Sequence, residues 1–324
     1  MESIIKYKEL IEGGLKNLSF DYKPDSLYNP IKYFLNIRGK RIRPVLTLMS
    51  SSCFKCDPKL ALNAALSIEL FHNFTLIHDD IMDSASSRRG KETIHSKWGI
   101  NSAILSGDVM LIMAYELLEK YDNKIYKHLS KLLNKTARQV CEGQQMDIDF
   151  ESNSNSTFDQ YIKMISFKTS VLLGCALKMG AIIANVSSED QDNIYDFGIN
   201  LGLAFQLQDD YLDTFGYENL VGKKIGGDII ENKKTILFHM AMINSNETQK
   251  KHITGLYNSK DISNENKVSQ ITSLFKESKA DISSKELVNE YTKKAIDSLN
   301  KVNIDKNFKD QFIVFAKNLM KREL

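Results

Sequence analysis

Residues 60 to 83 read LALNAALSIELFHNFTLIHDDIMD, an apolar helix that presents three carboxylates and a histidine along its last turns. Asp79 and Asp83 stand four apart and share a helix face. His72, seven residues before Asp79, falls within about 20° of it on a 3.6-residue wheel, and Asp80 sits at the edge of the face. Carboxylates this close repel one another and resist ionising together unless a cation lies between them. Hard oxygen donors of this kind suit magnesium, which takes one or two carboxylates, several waters and a phosphate-bearing substrate. A solvated acidic turn would read the same way, although carboxylates at a helix C-terminus oppose its dipole. One D-D-x-x-D in a chain this long is a coincidence of roughly one in ten. Residues 205 to 213, FQLQDDYLD, repeat the pattern as Asp209, Asp210 and Asp213, which drops coincidence to about one in a hundred.

Around these two segments the chain reads as helix. All four prolines, Pro24, Pro30, Pro44 and Pro58, lie in the first fifth, so nothing later carries the strongest helix breaker. Apolar spacings of three and four, with few period-2 runs, predict an all-α protein. The predicted helices cover 2–18, 26–37, 42–53, 58–83, 101–121, 123–149, 157–184, 188–215, 231–245, 247–257, 263–278, 284–301 and 306–322. Breaks fall at 84–99, at the stretch ESNSNST (151–157), at 185–189 and in the Gly/Lys-rich 216–230. No composition shift marks a linker, so residues 1–324 are expected to form one large helical bundle with a cavity between the two Asp-bearing helices. The Lys/Asn/Ser-rich region from about 244 to 324 reads as a peripheral layer.

Composition narrows the function. With 324 residues and a net charge of +2, neither nucleic acid nor an anionic membrane is favoured as a general partner. The N-terminus MESIIKYKEL has no secretory pattern, and the longest apolar run, 171–184, is broken by Lys178 and too short to cross a bilayer. The expectation is a soluble, cytoplasmic protein. Cys53 and Cys56 form a C-x-x-C without a second pair or a histidine cluster, so the four cysteines read as structural thiols.

Basic residues accompany each acidic motif. Arg38, Lys40, Arg41 and Arg43 fall within six positions, and GKRIRP (39–44) places Lys40 and Arg43 at a helix start, where backbone N–H groups and a guanidinium suit a diphosphate. Arg88 and Arg89 follow the first motif. The segment VGKKIGGDIIENKKT (221–235) follows the second, with Lys223, Lys224 and Lys233 as point charges on a glycine-rich loop. Lys168, beside Thr169 on an apolar helix, either pairs with an anion or snorkels to the surface. Gln206 precedes Asp209 by three and Asp210 by four, and so faces the same cavity.

The order GKRIRP, FHNFTLIHDDIMD, RRG, KT, FQLQDDYLD, GKKIGGDIIENKKT resembles the trans-isoprenyl diphosphate synthases, the farnesyl and geranylgeranyl diphosphate synthase family, over about residues 36 to 236. The resemblance implies the isoprenoid synthase fold. It implies an isopentenyl diphosphate pocket of Lys40, Arg43, His72 and Arg89. Asp79, Asp80 and Asp83 with Asp209, Asp210 and Asp213 would hold three magnesium ions on an allylic diphosphate. Arg88, Lys168, Lys223 and Lys233 would contact that diphosphate, with Lys224 competing for the role of Lys223. Thr169 and Gln206 would turn oxygens toward the allylic cation. The family's basic tail is represented only by Lys321 and Arg322, and its homodimer fits Gly198 and Gly202 if those mark a helix face left for a partner.

Within the family, product length is set beneath the first motif, by Phe74 and Thr75 here. Bulky Phe74 argues against a long-chain product. Thr75, smaller than the aromatic of eukaryotic-type farnesyl synthases, and an uninterrupted DDIMD favour C20 over C15, with farnesyl diphosphate as the alternative. A class I terpene cyclase would need one diphosphate site and would lack GKRIRP, while a catalytically dead subunit would show eroded motifs.

Overall fold

The computed structural model describes residues 2–20, 22–37, 39–152, 156–216, 225–259 and 261–321. Arg38, Gly222, Lys223, Lys224 and Arg322 lie outside the described residues, as does the side chain of Lys321. The described residues are helical apart from a single short hairpin, and group into two compact units, Met1–Lys135 with Cys175–Ile194, and Thr136–Gly174 with Tyr195–Leu324.

The first unit begins with α1 (Glu2–Lys16), α2 (Asp25–Leu35) and α3 (Ile42–Cys53), followed by a 3₁₀ turn, Pro58–Ala61, that leads into α4 (Leu62–Met82). Helix α4 is apolar nearly all round, the signature of a core helix, and buries Ile68, Leu70, Phe71 and Ile77. Each such side chain contributes about 1.5–3 kcal/mol by leaving water. A hairpin, β1 (Ser87–Arg88) with β2 (Lys91–Glu92), and α5 (Ile94–Trp98) occupy the predicted break at 84–99. The hairpin turns through Arg89 (φ 52°) and Gly90 (φ 73°), the two positive φ values of a type I′ turn. Elements this short carry no periodicity for a sequence to reveal.

Helix α6 (Ile100–Leu118) packs along α4, where Ser67 Oγ donates to Ala114 O at 2.6 Å. The long α7 (Asn123–Ser152) begins in this unit, which also takes the end of α9 (Val171–Ile183) and the start of α10 (Ser188–Phe215). On α9, a Cβ at Gly180 would lie 2.4 Å from Thr47 O, so α9 and α3 meet backbone to backbone, and Ser50 Oγ donates to Leu177 O at 2.6 Å.

The second unit holds the remainder of α7, α8 (Phe158–Ile165), a π-helical turn at Ser166–Ser170, and most of α10. The predicted helix 157–184 is therefore interrupted by that turn. Beyond α10 come α11 (Gly227–Ile230), α12 (Ile236–Asn244), α13 (Glu247–Asn258), α14 (Asn264–Glu277), α15 (Ala280–Lys301) and α16 (Lys306–Lys321). The helix predicted from 231 starts only at Ile236, because Asn232 adopts φ 59° and stops continuation from α11. Tyr161, Leu207, Ile229, Leu237, Ile271 and Phe275 form this unit's core.

Two expectations need correction. Both glycines are buried, and a Cβ at Gly202 would lie 2.6 Å from Ser170 Cα, so Gly202 brings α10 against the π turn and neither glycine marks an exposed face left for a partner. The bilayer argument rested on the longest uninterrupted apolar run. Counted as helices, Pro58–Met82, Ile100–Leu118 and Phe158–Ile183 are long and apolar enough to cross a membrane by length and composition. The first and third bury 67% and 72% of their most apolar window inside the protein, against 33% for the second.

Candidate active site

In the first unit a cavity of about 520 Å³ is lined by Gly39, Lys40, Arg41, Ile42, Arg43, Glu69, His72 and Arg89. It gathers the four residues expected at one diphosphate site and adds Arg41 and Glu69. Arg43 Nη1 lies 3.0 Å from His72 Nε2. A guanidinium only donates, so Nε2 accepts and the imidazole is neutral with its proton on Nδ1. Burial and then Arg43 and Arg89 hold the imidazole's pKa well below its ordinary value, which agrees. Burial lowers the Arg43 pKa to about 10, leaving it charged at neutral pH. Its Nε is buried without a partner, a donor left for an anion. Gly39 matters here by size: a Cβ would lie 2.6 Å from Arg89 Nη1.

At the end of α4 the middle aspartate, not the outer pair, is turned inward. Asp80 is 1% exposed, and its Oδ1 accepts from Arg88 Nε at 2.7 Å. Burial raises its pKa against the pull of Arg88. Asp79 is half-buried and Asp83, capping the helix, is exposed. Phe74 packs beside Phe71 (5.7 Å between centroids) and edge-on to His78 (4.7 Å), and Thr75 Oγ1 donates to His72 O.

In the second unit a cavity of about 210 Å³ is lined by Lys168, Thr169, Gln206, Asp209, Asp210, Asp213 and Lys233, together with Asp147, Tyr161, Asp228, Lys234 and Thr235. The π turn presents Lys168 and Thr169, as such turns do at many functional sites. It rests on Gly143 of α7, where a Cβ would come within 2.4 Å of Lys168 N. Lys168 does not snorkel away: Nζ donates to Asp147 Oδ2 at 2.5 Å. Thr169 Oγ1 donates to Gln206 Oε1 (2.9 Å), Gln206 Nε2 to Asp210 Oδ1 (2.8 Å), and Tyr161 Oη to Asp210 Oδ2 (2.5 Å). Burial and then Asp228 raise the Asp210 pKa to about 7, against these two donors.

Lys233 pairs with Glu231 at 2.7 Å; burial opposes its charge, but Glu231, Asp228 and Asp147 hold its pKa above the ordinary value. Within its loop, Lys233 N donates to Asp228 O at 2.8 Å and Asn232 N to Ile229 O at 3.2 Å, and further support comes from outside. Lys267 of α14 is buried and donates to Asn232 Oδ1 and to Tyr257 O (3.4 Å), and Val268 fills the space above Gly226 (φ 81°). The helices read as peripheral thus hold a loop of the site in place. Lys223 and Lys224 of the same basic segment fall outside the described residues.

Asp147, Tyr161, Glu69 and Arg41 were missed as site residues. Arg41 stood only as one member of a basic cluster, while Tyr161 lies seven before Lys168 and Glu69 three before His72, each on the face of the residue it accompanies.

The donors suit magnesium. All six aspartates are hard oxygen ligands, and Asp80 Oδ2 is buried without a hydrogen-bond partner. Among the described residues no three His, Cys, Asp or Glu side chains close into a ready-made cage.

Known proteins resemble this chain in sequence and fold. The short chain isoprenyl diphosphate synthase of Methanocaldococcus jannaschii is 41% identical over 244 residues, 75% of this chain and 74% of its own. A crystal structure of a geranylgeranyl pyrophosphate synthase superposes with TM-score 0.92 at 43% identity, covering 99% of this chain and 98% of that one. A geranylgeranyl pyrophosphate synthase from Corynebacterium glutamicum, complexed with isoprenyl diphosphate and magnesium, superposes with TM-score 0.83 at 25% identity, covering 99% and 97%. The polyprenyl synthetase family profile matches residues 24–275, and the chain belongs to that all-α family of enzymes.

Proposed function

We propose that this protein is a trans-prenyltransferase that joins isopentenyl diphosphate to an allylic diphosphate (dimethylallyl, geranyl or farnesyl), giving geranylgeranyl diphosphate and diphosphate. The observation that carries this reading is the cavity of Lys40, Arg43, His72 and Arg89, a cationic site with an unpartnered buried donor, whose single carboxylate, Glu69, is already paired with Arg41. A terpene cyclase has no use for such a second anion site. We take residues 1–324 as one isoprenoid synthase domain, soluble and cytoplasmic.

In this reading the allylic diphosphate departs with the C1–O electron pair, and fixed cations of Arg88, Lys168 and Lys233, with Lys223 or Lys224, stabilise the charge as it develops. One such contact at 4 Å contributes roughly 4 kcal/mol at an effective dielectric near 20. Asp79, Asp80, Asp83, Asp209, Asp210 and Asp213 would hold magnesium, in our reading three ions, whose chemistry is to neutralise the departing diphosphate. Thr169 donates its hydroxyl hydrogen bond to Gln206 Oε1, which leaves the hydroxyl oxygen's lone pairs to face a carbocation. Lys40, Arg43 and Arg89 orient isopentenyl diphosphate so that its double bond attacks C1, forming the 1′-4 bond. The departing diphosphate then takes the proton that is lost.

The test is diphosphate release and product analysis with isopentenyl and dimethylallyl diphosphates and magnesium. Asp79→Ala and Asp209→Ala should each lower turnover on the order of a hundredfold or more while the protein stays folded. Near-wild-type rates in both would sink the assignment. Phe74→Ala should lengthen the products, and an unchanged C20 product would remove Phe74 from the pocket floor.

A further inference from the structure

Beneath the cationic cavity of the first unit lies a carboxylate that an anion site would ordinarily exclude. Glu69 of α4 has a side chain only 5% exposed. Its Oε1 accepts from Arg41 Nη1 at 2.6 Å and from Asn73 Nδ2 at 3.2 Å, while Asn73 also donates to Glu69 O at 2.7 Å. Arg41, itself 5% exposed, completes its fork with Nε to Glu12 Oε1 of α1 (2.8 Å) and Nη2 to Leu35 O at the end of α2 (3.0 Å). One guanidinium thereby ties three helices at the point where α3 begins.

Arg41 is also held in the left-handed region, φ 52° and ψ 36°. Residues other than glycine adopt that conformation uncommonly. The residue sits between Lys40 and Arg43, so its backbone decides the directions in which those two cations leave the chain. Removing one partner of a buried charge pair weakens the hold on the other, and Arg41 would then keep only Glu12 as a carboxylate partner.

We propose that Glu69, acting through Arg41, is a positioning residue that sets the geometry of the isopentenyl diphosphate pocket without binding substrate. The proposal rests on the reading of that cavity given above. It separates cleanly from simple electrostatics. Deleting a negative charge from beneath an anion pocket should tighten anion binding if only field strength counts. Losing the positioning of Lys40 and Arg43 should weaken it.

The experiment is Glu69→Gln, with two readouts. In steady-state kinetics KM for isopentenyl diphosphate should rise about tenfold, the loss expected for a charge-assisted contact, while KM for the allylic diphosphate stays within about twofold. In calorimetry with inorganic pyrophosphate in EDTA, which silences metal-assisted binding, affinity should fall by a similar factor. Arg43→Gln assigns the signal to this cavity. Unchanged or tighter pyrophosphate binding by Glu69→Gln overturns the proposal, as does wild-type protein that shows no Arg43-dependent binding. If Glu69→Gln does not fold, Glu12→Gln removes the half-exposed partner of Arg41, and about a threefold loss of pyrophosphate affinity is expected; no loss overturns the proposal. Wild-type protein that binds pyrophosphate at Arg43 yet fails to condense the two substrates would refute the reaction, and calorimetry would still decide the role of Glu69.

Discussion

Asp210 carries opposed forces. Burial and Asp228 press it toward neutrality, while Tyr161 and Gln206 donate to its charged form, and the balance leaves its pKa at about 7. The folded-state value lies above the ordinary aspartate value of 3.8, so the folded protein binds more protons between the two. Stability from this group is therefore full below about pH 4 and lost as pH rises through about 7. In EDTA, the melting temperature of the wild type relative to Asp210→Asn should fall over that window, and a flat difference would show that Asp210 is ionised throughout. Tyr161→Phe, which deletes a donor to the carboxylate, should move the fall to higher pH. At this scale the sequence disclosed which residues carry charge but not which way they face. Asp79 and Asp83 share a face by arithmetic, yet the buried member is Asp80, because Arg88 of the hairpin comes from a segment without periodicity. Tyr161, Asp147 and Glu69 looked like ordinary helix residues for the same reason: their partners stand on other elements.

The π turn at Ser166–Ser170 shows the same limit for elements. Its sequence, SFKTS between apolar helices, is compatible with an unbroken helix, and the periodicity on both sides continues across it. What the sequence lacks is the neighbour: Gly143 lets α7 lie against the turn's backbone, and Gly202 lets α10 lie against Ser170. Gly143→Ala places a Cβ 2.4 Å from Lys168 N, a contact that backbone cannot relieve by changing rotamer. Overpacking of this kind costs about 1–3 kcal/mol. A displacement near 1 Å at Lys168 and Thr169 should also lower kcat by about a hundredfold. Thermal melts and kinetics on the same preparation test both. A drop in melting temperature with normal kcat would separate the turn's packing from its role at the site.

For the molecule as a whole, helices were legible from periodicity and the absence of late prolines, whereas the task of the C-terminal helices was not. Lys267 and Val268 belong to a Lys/Asn/Ser-rich stretch that reads as surface, and only the hydrogen bond of Lys267 to the Asn232 side chain and the packing of Val268 on Gly226 connect them with Lys233. The glycine argument for a partner failed, but another helix supplies a better one. Helix α6 buries its small residues, Ala103, Ser106, Gly107 and Ala114, and turns Ile104, Leu105 and Ile112 outward at 40%, 56% and 57% exposure. Leu105 and Ile112 are seven apart and so share a face. Exposed apolar faces of this kind mark interaction surfaces, and in a two-fold dimer each residue is buried twice. We therefore propose a homodimer closed through α6. Fully burying such a side chain contributes about 1.5–3 kcal/mol, so Leu105 and Ile112, a little over half exposed and counted in both copies, suffice to move a dissociation constant by about two orders of magnitude or more. The wild type should sediment at twice the chain mass at micromolar concentration, and Leu105→Glu/Ile112→Glu at the chain mass with its helical content intact. A wild type of single-chain mass at that concentration would rule the dimer out, and a double variant that remains dimeric would place the interface on another face.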